Sequence, residues 1–313
     1  MRIYYSLEDF SPVENLVVTI GTFDGVHLGH RKLIRRILDL SSEISGESLI
    51  LTFFPHPRMV LYPNEHQIEL LNTAAEKISL LEEAGIQHLI IQPFDREFSE
   101  LSAEEFVRKV LVNKLKVRKL VIGYDHRFGK QREGSFEDLI KLAPKYDFQV
   151  EEIPEEDVNN IAVSSTRVRK ALKEGDVETA AALLGRPYSL SGTVIHGNKI
   201  GRTIGFPTAN LHIAEDYKLI PGNGVYIAKV EVQKESHFAM VNIGNRPTIE
   251  DRGELRVEVY ILDFDRDIYG SELTVHLLKK IRDDKKFASL DELTTGIKDD
   301  LLFALNYIRE FNG

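Results

Sequence analysis

Two histidines stand three residues apart near the amino terminus, in the stretch GTFDGVHLGH that ends at His30. An apolar run typical of a strand, Leu16–Ile20, precedes this stretch, and a helical pattern, Leu28–Leu40, overlaps its end and continues beyond it. Free backbone N–H groups at the start of a helix point at anions, so the arrangement predicts a phosphate-binding turn. Because residues at positions i and i+3 share a helix face, we expect His27 and His30 to face the same phosphate, with Gly29 keeping the space beside them open.

Three further segments carry side chains suited to the same chemistry. Two prolines fix the backbone around His56 at the end of an apolar run. The segment GYDHRFGKQREG combines three glycines with Asp125, Arg127 and Phe128, which suits a planar ring with a polar edge. In the segment VSSTRVR, which ends at Arg169, serine and threonine precede a helical pattern, where they suit a helix cap or a second phosphate.

The second half of the chain carries its own group of polar residues. A strand pattern in GTVIHGNKIGR leads into a glycine-containing loop with Lys199 and Arg202, where the backbone and the basic side chains can contact phosphates. The next segment, GFPTAN, offers a hydroxyl at Thr208 and an amide oxygen at Asn210, which are hard ligands suited to Mg²⁺. Further along, Glu258 stands on an alternating strand pattern, where a carboxylate alone would usually be a solvated charge.

Length, charge and composition limit the classes of protein to which the chain can belong. At 313 residues it is long enough for two domains, each with its own core. The net charge of −9 argues against nucleic acid or an anionic membrane as a partner, because both require a basic surface. The chain has no cysteine, which excludes disulfides, thiolate zinc sites and cysteine nucleophiles. With no signal-peptide pattern and no apolar run long enough to span a membrane, we expect a cytoplasmic protein.

The first half of the chain predicts an α/β domain with a parallel sheet covered on both faces, because short apolar runs alternate with helical patterns. The apolar runs are Leu16–Ile20, Leu49–Phe54, His88–Pro93, Lys119–Gly123 and Phe148–Ile153. The helical patterns between them are Leu28–Leu40, Thr73–Ala84, Ala103–Lys114 and Ser135–Lys145. Ligands of such sheets bind at the carboxyl ends of the strands, so the motifs that follow these runs converge on one edge.

The second half predicts a small antiparallel β-barrel with a terminal helix. Two helical patterns, Ser165–Lys173 and Val177–Leu184, end at a break beginning with Gly185, and there we place the boundary between a domain of residues 1–185 and a domain of residues 186–313. Beyond it the period changes to two without intervening helices, which favours a barrel. The strand patterns are Leu190–Ile195, Val225–Val232, Phe238–Ile243, Leu255–Leu262 and Glu272–Lys279. A helix follows from about Leu290 to Phe311, with Ser289 and Glu292 as a capping box.

In the first half, the pair His27 and His30 resembles the H-x-G-H motif of the nucleotidyltransferase superfamily, which implies a Rossmann-like parallel sheet. With FFPHP, the GYDHRFG loop and VSSTRVR in the same order, the half resembles the FMN adenylyltransferase part of the bifunctional riboflavin kinase/FAD synthetase family. The resemblance implies that the two histidines bind the phosphates of ATP as catalytic groups. The residues implied to bind ATP and its phosphates with them are Gly21, Phe23, Asp24, Gly25, Gly29, Ser165, Thr166 and Arg169. The residues implied to form the flavin and nucleotide loop are His56, Asp125, Arg127 and Phe128.

The second half resembles the riboflavin kinase part of the same family, through GTVIHGNKIGR, GFPTAN, GVY, NIGNRPT and the segment around Glu258. The resemblance implies that Glu258 is the general base toward the ribityl 5′-hydroxyl and that Thr208 and Asn210 hold Mg·ATP. The residues implied to bind ATP here are Gly197, Lys199, Gly201, Arg202 and Pro207. The chain departs from the family pattern at His126, at Gln131 and at Tyr260, which shares a strand face with Glu258.

The resemblance spans nearly the whole chain and implies a bifunctional enzyme of FAD biosynthesis. Riboflavin and ATP give FMN in the barrel, and FMN and ATP give FAD and pyrophosphate in the first domain. Both steps are expected to need Mg²⁺ with ATP, and the flavins are substrates and products.

Two alternatives stay open. The first is a nucleotidyltransferase that acts on another substrate, such as a pantetheine or nicotinate nucleotide, and has an accessory barrel. The second is a single-activity protein in which one half only binds flavin or nucleotide. For His56, an orienting role between its prolines is a further alternative, and for Ser164 and Arg167 helix capping and surface charge are equally good interpretations.

Overall fold

A computed structural model of the chain describes residues 1–63, 68–124, 126–154, 157–158, 161–196, 205–245 and 255–311. The chain divides into two compact units, Met1–Ser165 and Thr166–Gly313. The division between the compact units therefore falls at the start of the helical segments Ser165–Lys173 and Val177–Leu184, which we assigned to the first domain. The functional boundary after residue 185 stays a prediction.

The first unit is built on a six-stranded, wholly parallel sheet with the order β1-β4-β3-β2-β5-β6. Its strands are β1 Arg2–Tyr4, β2 Val17–Ile20, β3 Ser48–Phe54, β4 His88–Pro93, β5 Lys119–Gly123 and β6 Gln149–Ile153. Two short strands, β7 Asp157–Val158 and β8 Ile161–Ala162, form a separate antiparallel pair. The parallel sheet predicted from the apolar runs is confirmed, and the three-residue edge strand β1 was missed because it is too short to show a pattern.

Helices cover both faces of this sheet, as a buried parallel sheet requires. They are α1 Leu28–Glu43, α2 Pro57–Leu61, α3 Ala74–Glu83, α4 Arg96–Ser99, α5 Ala103–Phe106, which continues as a π-helix over Val107–Lys114, and α6 Phe136–Leu142. Successive residues of a strand point to opposite faces, so Val17 packs with α1 and α3 while Val18 packs with the π-helical segment. Each face thus has its own apolar core.

The order of the strands places the motifs of the first half together. β2 lies in the centre, with β3 on one side and β5 on the other. The chain proceeds outward from β2 through β3 and β4, and then crosses back to β5, so the order reverses between β2 and β5. A crevice at the carboxyl ends of the strands is expected at such a reversal. The histidine turn follows β2, FFPHP ends β3 and the GYDHRFG loop follows β5, which confirms that they share one sheet edge.

The second unit contains helix α7 Ser165–Lys173 from its second residue onward, helix α8 Val177–Leu184 and a closed six-stranded antiparallel barrel. The barrel strands are β9 Tyr188–Ile195, β10 Ala209–His212, β11 Gly224–Val232, β12 Glu235–Asn245, β13 Leu255–Ile261 and β14 Glu272–Arg282, in the order β10-β13-β12-β11-β14-β9. Sequence reasoning gave five strands and missed β10, which falls on the end of GFPTAN. Its four residues, ANLH, alternate between apolar and polar types, but two repeats are too short a run to identify a strand.

A terminal helix, α9 Leu290–Phe311, packs on the outer face of the barrel. Its Ala304 joins Ile227 and Met240 in a buried cluster, whereas their strand neighbours point into the barrel interior. Only half of the expected capping box is present: Ser289 accepts from the N–H of Glu292, but the Glu292 carboxylate accepts from Ala288. No helix in the described part of the chain is long and apolar enough to cross a membrane.

Candidate functional site

The turn after β2 has an unusual backbone. Phe23, Gly25 and Val26 all have positive φ, at 48°, 88° and 40°. Glycine adopts such angles freely, but a β-branched residue such as Val26 does so only under strain, and strain of this kind clusters at functional sites. When right- and left-handed backbone conformations alternate, successive N–H groups point toward one concave surface, which suits an anion. The turn therefore has the backbone expected of a phosphate site.

The two histidines meet at the end of this turn. Their rings are stacked, with centroids 3.7 Å apart and planes 13° apart. His27 is the N-cap of α1, and its Nδ1 accepts a hydrogen bond of 3.3 Å from the backbone N–H of His30. Because Nδ1 accepts, the proton of the neutral ring lies on Nε2, which becomes a donor suited to a phosphate oxygen. Helix capping and phosphate binding are thus compatible in His27.

His30 is held in its neutral form. Burial lowers its pKa well below the usual value, and positive charge on the nearby His27, when that ring is protonated, and on Lys77 lowers it further. Its Nδ1 is buried and makes no hydrogen bond within the described part of the chain. Buried polar atoms normally have a partner, so this nitrogen is suited to an atom that the protein does not supply. The unpartnered Nδ1 of His30 therefore indicates that a ligand binds beside the turn.

Gly29 lies close to the ring of His27. A Cβ atom at this position would lie 3.3 Å from both Cε1 and Nδ1 of His27. The absence of a side chain at Gly29 therefore leaves room for the imidazole of His27. Gly21 has a similar relation to Phe23, whose ring would lie 3.2 Å from an added Cβ and is buried in the core.

Asp24 and Ser165 tie the turn to its surroundings. The Asp24 carboxylate is buried and its Oδ1 accepts from the backbone N–H of Leu71 at 2.8 Å. The Ser165 hydroxyl donates to the carbonyl of Asp24 at 2.8 Å. Thr166 is exposed and Arg169 is half-buried, both on α7, and they belong to the second compact unit.

The other loops at this edge place their polar residues as follows. His56 caps the short helix α2, and its Nδ1 accepts from the N–H of Arg58 at 3.1 Å. Arg127 is exposed. Phe128 is buried, and its ring would lie 2.7 Å from a Cβ at Gly134, so it contacts the opposite arm of its own loop. Asp125 lies outside the described residues.

The barrel brings three polar side chains into one row. Glu258 on β13 is directly opposite Asn210 on β10, and on its other side it is directly opposite Asn242 on β12. Residues paired in this way share a sheet face, with Cβ atoms about 5 Å apart. Asn210 is buried and Glu258 is half-buried. The row lies on the outer face of the barrel, because Val257 and Val259, which alternate with Glu258, point into the interior.

Tyr260 closes one side of this row. Its ring meets that of Phe206, from GFPTAN, edge to face at a centroid distance of 5.3 Å. It also packs against the cluster of Met240 and Ile227 beneath α9. Tyr260 therefore holds the GFPTAN segment beside the carboxylate.

Other expected residues of this half are only partly described. Thr208 is half-buried and precedes β10 directly, and Pro207 is exposed. The phosphate-loop residues Gly197, Lys199, Gly201 and Arg202 lie outside the described residues. Within the described ranges, no group of three or more His, Cys, Asp and Glu side chains is arranged to hold a metal ion. The oxygens of Thr208, Asn210 and Glu258 nevertheless form a donor set of the hard kind that Mg²⁺ prefers.

Two residues of these sites escaped sequence reasoning. Asn242 opens the segment NIGNRPT, but its place beside Glu258 depends on strand register, which the pattern does not give. Lys77 is buried below the histidine turn and donates to the carbonyl of Thr22 at 2.8 Å. The one signal in the sequence was a lysine on the apolar face of a helical pattern, four residues before Leu81.

Comparisons with known proteins cover both halves. Residues 10–167 match the family model described as FAD synthetase, and residues 184–308 match the one described as riboflavin kinase. A bifunctional riboflavin kinase/FMN adenylyltransferase of Listeria monocytogenes is 41% identical over 91% of this chain and 90% of its own length. Proteins of the same name from Buchnera aphidicola and Escherichia coli are each 38% identical, over 98% and 100% of this chain respectively and 98% of their own lengths.

A solved structure also matches nearly the whole chain. It is that of a protein called a macrolide-efflux protein, from Streptococcus pneumoniae, with a TM-score of 0.89 and 34% identity. The match covers 97% of this chain and 98% of the pneumococcal one. That name describes the pneumococcal protein, whereas the curated relatives and both family models agree on flavin nucleotide synthesis.

Proposed function

Because the chain belongs to the bifunctional riboflavin kinase/FMN adenylyltransferase family, we propose that its two candidate sites divide two ATP-dependent reactions between them. The barrel phosphorylates riboflavin to FMN. The first unit transfers the adenylyl group of ATP to FMN, giving FAD and pyrophosphate. The observation that carries the assignment is the presence of both sites in one chain, the stacked histidines at the crevice and the row of Asn210, Glu258 and Asn242 on the barrel.

In the adenylyl-transfer site, the phosphate of FMN attacks the α-phosphorus of ATP. This nucleophile is already an anion, so the site needs no strong base, and its task is to stabilise charge on the transferred phosphoryl group. Nε2 of His27 donates toward a phosphate oxygen, and the N–H groups of the turn add further donors. His30, neutral and with a buried Nδ1 unpartnered among the described residues, supplies the second imidazole. Gly21, Phe23, Asp24, Gly25 and Gly29 form the turn that fixes these donors.

Residues of α7 and of the neighbouring loops complete this proposal. Ser165 positions the turn through the Asp24 carbonyl. We assign Thr166 and Arg169 to the phosphates of ATP, and Asp125, Arg127 and His56 to the flavin and nucleotide loop. For Phe128 we propose a supporting role, because its ring packs inside its own loop.

In the kinase site, the 5′-hydroxyl of the ribityl chain attacks the γ-phosphorus of ATP. An alcohol must lose its proton in this step, and Glu258 is the base that accepts it. A positioned base contributes a factor of about 10²–10⁴. Asn210 and Asn242 flank Glu258 on the neighbouring strands, and we assign to them the positioning of its carboxylate. Tyr260 packs against Phe206 of the GFPTAN segment beside it. Gly197, Lys199, Gly201, Arg202 and Pro207 are assigned to ATP.

We assign Mg²⁺ to both reactions as a partner of ATP. In the barrel, the oxygens of Thr208 and Asn210 would hold it beside Glu258, and the ion would neutralise charge on the phosphates. Riboflavin, FMN, FAD and ATP are the small-molecule partners, and the acidic chain is not expected to bind nucleic acid. We place the protein in the cytoplasm, where ATP and riboflavin are available to it.

Incubation of the pure protein with riboflavin, ATP and Mg²⁺ tests this function. We expect FMN to appear first and FAD to follow, with ADP and pyrophosphate as the other products. FMN supplied instead of riboflavin should give FAD directly. Parallel incubations with pantetheine phosphate or a nicotinate nucleotide test the other nucleotidyltransferases. Turnover of either of those without flavin turnover would contradict the proposal, and so would flavin binding without any product.

A further inference from the structure

The carbonyl oxygen of Thr22 receives two hydrogen bonds from inside the first unit. Lys77 Nζ on α3 donates to it at 2.8 Å, and Thr52 Oγ1 at the end of β3 donates at 3.2 Å. Both side chains are buried, with 8% of Lys77 and none of Thr52 exposed. The Thr22 carbonyl therefore has one fixed direction, toward the interior.

The direction of this carbonyl decides where the next N–H points. A trans peptide is planar, and its N–H and C=O groups point in opposite directions. The Thr22–Phe23 peptide is the first of the strained turn, so holding its carbonyl inward turns the N–H of Phe23 outward. Phe23 has a positive φ of 48°, which a phenylalanine does not adopt without such support.

Burying the ammonium group of Lys77 to bind a carbonyl costs free energy. Burial lowers the pKa of Lys77, and the nearby Asp24 carboxylate opposes that shift. A buried ammonium loses its hydration, and Lys77 also stands in the first turns of α3, close to the positive end of the helix dipole. A hydroxyl alone could bind the Thr22 carbonyl, as Thr52 does. The charge of Lys77 is therefore a feature that packing of the turn does not require.

We propose that Lys77 is a positioning residue of the adenylyl-transfer site, which holds the Thr22–Phe23 peptide with its N–H toward the phosphates of ATP and places a buried positive charge behind them. The inference rests on the function proposed for the first unit. Lys77 does not contact the reacting atoms. It acts through the Thr22 carbonyl and through its field at the stacked histidines, where its charge favours neutral His30.

Four variants separate this role from a contribution to stability. Lys77→Met removes the charge and the hydrogen bond, and Lys77→Arg keeps the charge and a donor. Thr52→Val removes the second hydrogen bond while the charge stays. Ser48→Ala is the matched control: Ser48 lies at the other end of the same strand, is fully buried, and donates through its hydroxyl to Gln87 Oε1 at 3.0 Å.

FAD formation from FMN and ATP is measured for each variant, with riboflavin phosphorylation as the internal control. We expect Lys77→Met to lower kcat of FAD formation about 10²-fold, the scale of losing one preorganised donor at a transferring group. The KM for FMN should change little, Lys77→Arg should recover most of the loss, and Thr52→Val should lose several-fold. Ser48→Ala should keep kcat even where urea unfolding shows lower stability.

A titration of the imidazole resonances gives a readout that does not depend on turnover. The pKa of His30 should rise in Lys77→Met and stay in place in Thr52→Val and Ser48→Ala. The inference is overturned if Lys77→Met keeps its kcat, if Ser48→Ala loses as much activity as Lys77→Met, or if the His30 pKa does not respond. If Lys77→Met does not fold, Lys77→Gln, which removes the charge but keeps a donor, takes its place, and wild-type kcat with an unchanged His30 pKa in that variant overturns the inference. Wild-type protein that makes no FAD would overturn the proposed function itself, and this inference with it.

Discussion

Glu258 is paired directly with Asn210 across neighbouring antiparallel strands of the barrel. This register joins two sequence segments, GFPTAN and RVEVYILDF, that have no pattern in common. The register brings the amide oxygen of Asn210, which suits a metal ion, next to the carboxylate of Glu258, which can accept a proton. The base that we propose for the kinase reaction is therefore held on a strand of the barrel, and not in a loop.

A reciprocal pair of variants should separate the two activities. Glu258→Gln keeps the shape of the side chain but cannot accept a proton, so we expect riboflavin phosphorylation to fall about 10²–10⁴-fold. Its conversion of FMN to FAD should remain. His27→Ala should do the reverse and accumulate FMN from riboflavin. Chromatographic separation of riboflavin, FMN and FAD over time measures both.

The matched control for Glu258→Gln is Asp263→Asn, in the exposed turn after β13. Asp263 has a φ of 55°, which asparagine tolerates, so neither activity should change. If Glu258→Gln or His27→Ala lost both activities while remaining folded, the division into two sites would be wrong.

Gly29→Ala should lower adenylyl transfer without unfolding the protein. Alanine in place of glycine in a helix is favourable by up to about 1 kcal/mol. Here, however, the new methyl group would press on the His27 ring at 3.3 Å and displace it from the His30 ring. We expect FAD formation to fall at least ten-fold, with the thermal midpoint and the kinase activity retained. Full FAD synthesis by Gly29→Ala would show that the position of the His27 ring is unimportant.

The stability of the first unit should depend on His30 in weak acid. Its pKa is lower in the folded protein than in the unfolded chain, where it is about 6.5. As the pH falls below about 6.5, the unfolded chain takes up the proton first, so the free energy of unfolding decreases, whereas above that pH this contribution is fully present. His30→Gln should therefore show a smaller loss between pH 7.5 and pH 5.5 in urea unfolding. Equal losses in the two proteins would contradict the burial of a neutral His30.

The terminal helix should depend on one ion pair. Asp300 on α9 is buried and accepts from Nε of Arg282 at 2.9 Å and from its Nη2 at 2.8 Å. Removing one partner of a buried pair leaves an unpaired charge, so Asp300→Asn should lower the free energy of unfolding by about 3 kcal/mol. Denaturant unfolding of the full chain, with kinase activity as the local probe, measures this.

Glu178→Gln serves as the comparison for Asp300→Asn. The pair of Lys279 and Glu178 is of similar length, 2.9 Å, but lies at the surface. Exposed pairs contribute less than about 1 kcal/mol. Similar effects of the two substitutions would show that burial of Asp300 does not matter.

Local patterns in the sequence were sufficient for most of the fold. The parallel sheet, the barrel and the terminal helix are confirmed. Each could be predicted because the pattern that indicates it extends over many residues. β1 and β10 were missed because three or four residues are too few to identify a strand from their pattern. The pairing of Asn242 with Glu258 and the burial of Lys77 are long-range relations that arise only when strands and helices pack.

The barrel closes through its last strand. Glu272–Arg282 pairs with Tyr188–Ile195 on one side and with Gly224–Val232 on the other. During synthesis on the ribosome, β9 and β11 emerge well before β14. Each of them therefore has an unpaired edge until β14 has been made. The first sheet, in contrast, has all its strands once Gln149–Ile153 has been made. A nascent chain can thus assemble the half that consumes FMN while the half that produces it is still unfinished, and a transcript cut short before Glu272 would encode the consumer alone.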